Sequence, residues 1–250
     1  MERKSPTNRS LERGLMILRA FRPGSTLLGN GELAERTGLA PATVSRLTQT
    51  LVAGGFLQHD ASARAYRLGA PVLSLAYAMR QGSTILKVAL PLMREIAEKR
   101  RINVGLAAAD GEEMVYLESV RTQRASAFRH ITAGSRIPIE LTCLGRAHLA
   151  TLPKAELEQM LARFRARRGA QWPALHKEIR AALAMVEREG YCRASWQPGV
   201  IALAAPLRLP GYPGHVMNLS LSTQQSSEAQ IKTGLVPLLK KLVQQVAERL

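Results

Sequence analysis

Residues 32–57 read ELAERTGLAPATVSRLTQTLVAGGFL, and the punctuation of this stretch decides the fold of the first part of the chain. Gly38 can end a short helix in the left-handed conformation that glycine adopts freely, Pro41 suits the first turn of the next helix, and Gly54-Gly55 stops it. Two helices joined by a turn at Gly38-Leu39-Ala40 have the spacing of a helix-turn-helix, whose second helix lies in the DNA major groove. Within that second helix Val44, Leu47 and Leu51 form the stripe expected inside, and Leu33, Ala34 and Thr37 do the same for the first. The opposite face, opened by Pro41, carries Ala42, Thr43, Ser45, Arg46 and Gln49, short or bidentate side chains that suit base edges and phosphates.

Upstream, Leu11, Leu15, Leu18, Ile17 and Phe21 recur at helical spacing, with Ser10 as the expected cap and Pro23-Gly24 as the break; Asn30 is the expected cap of the helix before the turn. Downstream, FLQHD and AYRLG alternate apolar and polar residues about a loop at 60–64, which predicts a two-stranded hairpin closing the unit as a wing. The competing reading is a three-helix bundle or protein-docking module with a solvated face. The net charge of +16 over 250 residues favours a polyanionic partner, nucleic acid ahead of acidic membrane, but the surplus is spread over both halves and locates no binding face by itself.

The strings SLERGLMILRAF (10–21), ELAERTGLAPATVSRLTQTLVAGGFL (32–57) and YRLG (66–69) resemble the winged helix-turn-helix of IclR-type bacterial transcription regulators. That resemblance implies double-stranded operator DNA as partner, Pro41, Ala42, Thr43, Ser45, Arg46 and Gln49 on the recognition helix, and Arg64 at the wing tip near the minor groove or a phosphate.

Hydrophobic residues at 46% and charged residues at 22% fit a folded globular chain. No apolar run approaches the roughly 20 residues of a membrane span, and the polar N-terminus lacks a secretory core, so a cytoplasmic protein is expected. Two cysteines, Cys143 and Cys192, argue against a disulfide framework or a structural zinc, and no cofactor is expected. Pro71 followed by VLSLAYAM predicts an apolar linker helix ending near the QGST boundary, with Leu73, Leu75, Ala76, Tyr77 and Met79 either pairing subunits or packing on the second domain. The expected division is residues 1–70, a linker at 71–84 and a larger unit at 85–250.

The larger unit reads as α+β, a mostly antiparallel sheet with helices packed on it. Helices are expected at 87–101, over LGRAHLATL, over KAELEQMLARF and at 173–189. Strands are expected at 103–109, 114–120, 125–132, 200–207 and 215–222, before a final amphipathic helix that Pro237 kinks or delays. The segments LTCLGRAHLATLP, EREGYCRASWQPGVIALAAPL and VMNLSLS are similar to the GAF-like effector domain of the same family. The resemblance implies a homodimer or tetramer and a small-molecule effector near Cys143, Leu144, Gly145, Ala205, Pro206, Ser220 and Ser222; that this effector is a carboxylic or aromatic acid is expected from the residues themselves. From the residues alone, Asn218, Ser220 and Ser222 share one strand face, turned to a pocket or to solvent. A helix capped at Thr142 would offer free N–H groups to an acid near Gly145. Cys143 and His148, five apart, make a poor nucleophile and base, so no enzyme is expected; the runner-up is a nucleic-acid-binding module fused to a sensor with residual turnover. The arginines at 163, 165, 167 and 168 read as a solvated helix end or a second polyanion contact.

Overall fold

The computed structural model describes residues 8–121, 131–195, 197–212, 214–223 and 227–250. The chain divides into two units, Met1–Ser83 and Thr84–Leu250, each with its own core.

In the first unit, helices α1 (Arg9–Ala20), α2 (Asn30–Thr37) and α3 (Pro41–Ala53) precede a hairpin of β1 (Leu57–Asp60) and β2 (Ala65–Leu68), and α4 (Ala70–Gly82) follows. Ile17, Phe21, Leu28, Leu33, Val44, Leu57 and Tyr66 form the core. The α2–α3 turn is the one its glycine demands: Gly38 has φ +68° and its N–H bonds the Ala34 carbonyl. Leu28 and Tyr66 exchange both backbone hydrogen bonds, at 3.0 and 2.9 Å, fastening the hairpin to the segment before α2.

The caps differ from the sequence expectation. Asn8, not Ser10, caps α1 by accepting from the N–H groups of Ser10 and Leu11, because the helix starts two residues earlier. Gly29 is the cap of α2, and Glu32 reaches back to its N–H at 3.0 Å. The buried stripes shift as well. Thr48 joins Val44 inside while Leu47 and Leu51 are half-buried, and Leu11 and Leu15 lie on the outside of α1, 63% and 51% exposed.

The second unit is a six-stranded antiparallel sheet in the order β5-β4-β3-β8-β7-β6 between two helical layers. Its strands are β3 (Asn103–Asp110), β4 (Glu113–Val120), β5 (Arg136–Pro138), β6 (Cys192–Ala194), β7 (Val200–Pro206) and β8 (His215–Ser222). One face packs on α5 (Thr84–Arg100) and on α10 (Val236–Glu248), which follows a short α9 (Glu228–Gln230) and a π-helical turn at Ile231–Leu235, so Pro237 stands in the first turn of α10. The other face packs on α6 (Cys143–Leu149), α7 (Lys154–Arg168) and α8 (Trp172–Glu189). The expected strand at 125–132 lies outside the described residues through 130, and Ile131 and Thr132 are not in a strand. The three-residue strands β5 and β6 are too short for alternation to reveal.

Candidate nucleic-acid interface and ligand cavity

On α3, Pro41 takes the first helical position after an uncapped start, and Pro41, Ala42, Arg46 and Gln49 are exposed while Thr43 and Ser45 are half-buried. The burial of Val44 and Thr48 fixes the rotation of the helix and leaves Ala42, Arg46 and Gln49 of the assigned face outward. Arg64 is exposed at the hairpin tip with φ +49°, a left-handed conformation uncommon outside glycine. Asp60 organises that tip. It accepts from the hydroxyl and N–H of Ser62 and the N–H of Ala63, and pairs with Arg67; these interactions hold its carboxyl down at about 2.

The second unit holds a cavity of about 50 Å³ on the sheet face that meets α6, lined by both apolar and polar side chains, with room for a few waters at roughly 10–15 Å³ each. Strand register builds its floor. Asn218 pairs with Gly105 and Ala204, and Ser220 with Asn103 and Ala202, so these side chains share one face. On β4 a bulge intervenes: Glu118 pairs with Leu106 but Tyr116 with Ala107, leaving Leu117 as the extra residue. The parity of the strand flips there, which puts Tyr116, Ser119 and Arg121 on the cavity side together. Ile137, Thr142, Cys143, Leu144 and Gln197 complete the rim. Arg121 is the one charged side chain among the described lining residues, and no carboxylate is among them.

Of the residues carried over by resemblance, Cys143, Leu144 and Ser220 line this cavity; Gly145, Ala205, Pro206 and Ser222 do not. Ala205 points to the opposite face, in the core with α5 and α10. Gly145 has a packing role instead: a Cβ there would fall 2.1–2.5 Å from the backbone of Ile139, and its N–H is taken by the Thr142 hydroxyl at 3.2 Å rather than offered to a ligand. Thr142 in turn donates to the Pro138 carbonyl at 2.8 Å. Asn103, Gly105, Tyr116, Ser119, Arg121 and Gln197 were not singled out from sequence. A glycine inside a β-like run, at 105, was the available signal of a close approach.

Burial pushes the Cys143 thiol up to about 12, which disfavours the thiolate that a nucleophile needs, and Cys192 donates its thiol hydrogen to the Cys143 carbonyl at 3.3 Å. His148 is buried, and desolvation lowers its pKa. Within the arginine run Arg165 is exposed, whereas the other three are paired with carboxylates. Arg163 binds Glu112 at 2.7 Å, Arg167 binds Glu112 and Glu140, and Arg168 binds Glu140 at 2.6 Å. The hairpin turn after β3 and the loop before α6 supply those carboxylates. Among the described residues there is no group of three or more metal-ligating side chains and no helix long and apolar enough to cross a membrane.

A winged helix-turn-helix followed by a sensor-like α+β unit with a cavity defines a DNA-binding transcription regulator. The comparisons specify which kind. The IclR helix-turn-helix domain matches residues 10–61, and the bacterial transcriptional regulator IclR C-terminal domain matches residues 78–248. The chain is 33% identical to the HTH-type transcriptional regulator TsaQ1/TsaQ2 of Comamonas testosteroni, over 95% of this chain and 86% of that one. A crystal structure of an IclR family transcriptional regulator from Brucella abortus superposes with TM-score 0.88 at 36% identity, covering 97% of this chain and 92% of the other. An IclR homolog from Microbacterium hydrocarbonoxydans complexed with 4-hydroxybenzoate shares the fold at TM-score 0.72 and 23% identity, covering 96% and 98%. The chain belongs to the IclR family of DNA-binding transcription regulators.

Proposed function

We propose that this regulator answers to a small organic acid bound in the cavity of the second unit, and that it does so as a homodimer or larger assembly in the cytoplasm. The observation that carries the acid reading is the lining: hydrogen-bonding side chains from three strands, one arginine and no carboxylate among the described residues. An anion gains a charge-assisted hydrogen bond there and meets no like charge. The 4-hydroxybenzoate held by a homologue of the same fold is consistent with that charge. Named relatives are regulators, which favours sensing over turnover.

Thermal unfolding against a panel of small acids tests the reading. An acid at about 100 times its dissociation constant adds roughly 2.7 kcal/mol, and Arg121→Ala should weaken its binding by about 1.5–3 kcal/mol, the worth of a hydrogen bond to a charged group. A panel without a single stabilising acid would refute the proposal.

The assembly reading rests on α4, where Leu73, Leu75, Tyr77 and Met79 are 75%, 59%, 62% and 52% exposed, an apolar helix that water does not favour. Leu11 and Leu15 on α1 add to the uncovered apolar surface of the same unit. One DNA experiment reads both this and the recognition helix. Footprinting on a duplex selected from a random pool should show two half-sites spaced by whole helical turns. Arg46→Ala should lose on the order of 1–3 kcal/mol on that duplex if it reads a guanine, or weaken all duplexes alike if it holds phosphate. A single short footprint from a monomer, or unaltered Arg46→Ala binding, would contradict the respective assignment.

A further inference from the structure

One polar atom in the cavity wall has a hydrogen-bonding capacity that nothing in the described chain uses. Asn218 is 4% exposed, and its amide oxygen is buried without a partner. It lies over Gly105, where a Cβ would stand 2.3 Å from that oxygen and 2.6 Å from Cε1 of Tyr116. Any other residue at 105 would displace the amide or the ring. The Tyr116 ring lies over the same glycine as the Asn218 amide, so amide and ring form one buried unit in a strand interior that pays for a glycine to hold them. Buried acceptors are ordinarily satisfied, and an exception calls for a missing donor. The last torsion of asparagine is soft, and without a Cβ beneath it the amide has room to turn toward the cavity.

We propose that Asn218, seated over Gly105 and beside Tyr116, is the specificity-determining residue of the cavity: its side-chain oxygen accepts a hydrogen bond from a hydroxyl on the ligand, so the effector is a small hydroxylated carboxylic acid. This rests on the acid-binding reading above. Asn218 flanks Gly105 on β8 and Ser119 flanks it on β4, so amide and cation-bearing edge stand two strands, or about 10 Å, apart. A compact ligand can meet Asn218 with its hydroxyl and the Arg121 side with its carboxylate, because the arginine side chain closes part of that span.

Calorimetry with matched acids, benzoate against 3- and 4-hydroxybenzoate and propionate against lactate, tests the assignment on the full chain. The wild type should bind the hydroxylated member of at least one pair about tenfold more tightly or better, as for a site built around a ligand hydroxyl. Asn218→Leu should bring that ratio close to one, whatever its effect on the affinity for the unsubstituted acid; the smaller Asn218→Ala serves if the leucine variant does not fold. A ratio that survives in the variant, or a wild type indifferent to the hydroxyl, overturns the inference while leaving acid binding intact. If no acid binds the wild type, the acid-binding reading falls and the inference with it.

Discussion

Gly145→Ala lowers the unfolding midpoint of the larger unit by roughly 6–12 °C, the equivalent of about 3 kcal/mol in a domain of this size. The added methyl would lie 2.1 Å from the Ile139 carbonyl oxygen and 2.2 Å from its Cα. Neither atom is the free end of a side chain. Ile139 is completely buried, its N–H bonds the Glu112 carbonyl at 3.3 Å, and the adjoining Pro138 carbonyl accepts from Thr142. The strain therefore goes into α6, whose first residues Cys143 and Leu144 wall the cavity. Acid affinity should fall along with stability, whereas DNA binding in the absence of acid should persist, since α3 belongs to the other unit. Differential scanning calorimetry with and without ligand checks both; an unchanged midpoint would mean that the loop yields where the geometry says it cannot.

What the sequence made legible and what it hid differ by range. The helix-turn-helix is local: Gly38 needs a left-handed turn and finds it, Pro41 opens α3, and the hairpin follows from alternation over a few residues. Simple parity puts Asn218 and Ser220 on one face of β8 without saying whether it meets a pocket or solvent, and that shared face holds because β8 is regular through its pairing with β3 and β7. The same rule fails on β4. Strict alternation sets Tyr116 and Arg121 on opposite faces, and only the bulge at Leu117 reunites them. That irregularity has no signature in MVYLESVR. The AAPL motif rests on resemblance and says nothing of facing, whereas strand parity places Ala205 with Leu203 against α5 and α10. The outward position of Leu11 and Leu15 was equally hidden, because helical periodicity marks an apolar stripe without saying what covers it.

The partners of the arginine run lie 27 to 55 residues away, beyond any local pattern, and they yield the other large expected effect. Glu140 is fully buried; one carboxylate oxygen accepts from Arg167 at 2.9 Å and from Arg168 at 3.0 and 2.6 Å, and the other has no partner. The two arginines keep 45% and 25% of their side-chain surface. Removal of one side or the other is therefore unequal. Glu140→Gln leaves cations that can turn to water, at about 1–2 kcal/mol, whereas Arg167→Met with Arg168→Met strands a buried carboxylate and costs about 3–5 kcal/mol. Burial alone would raise the Glu140 pKa, but the hydrogen bonds from Arg168 and Arg167 outweigh it and hold the value below the ordinary one. In the wild type the clamp is thus complete above about pH 4.3, the ordinary glutamate value, and is lost as pH falls through the lower folded-state value. In the double variant the sign reverses. Burial without the cations raises the folded-state pKa of Glu140 above its unfolded value, so protonation relieves the penalty and the variant recovers part of its deficit as the pH falls. Urea unfolding of wild type and both variants between neutral pH and about pH 4 should show a gap for the double variant that narrows toward acid. A gap independent of pH would assign the loss to packing of the arginine stems instead of to the charge on Glu140.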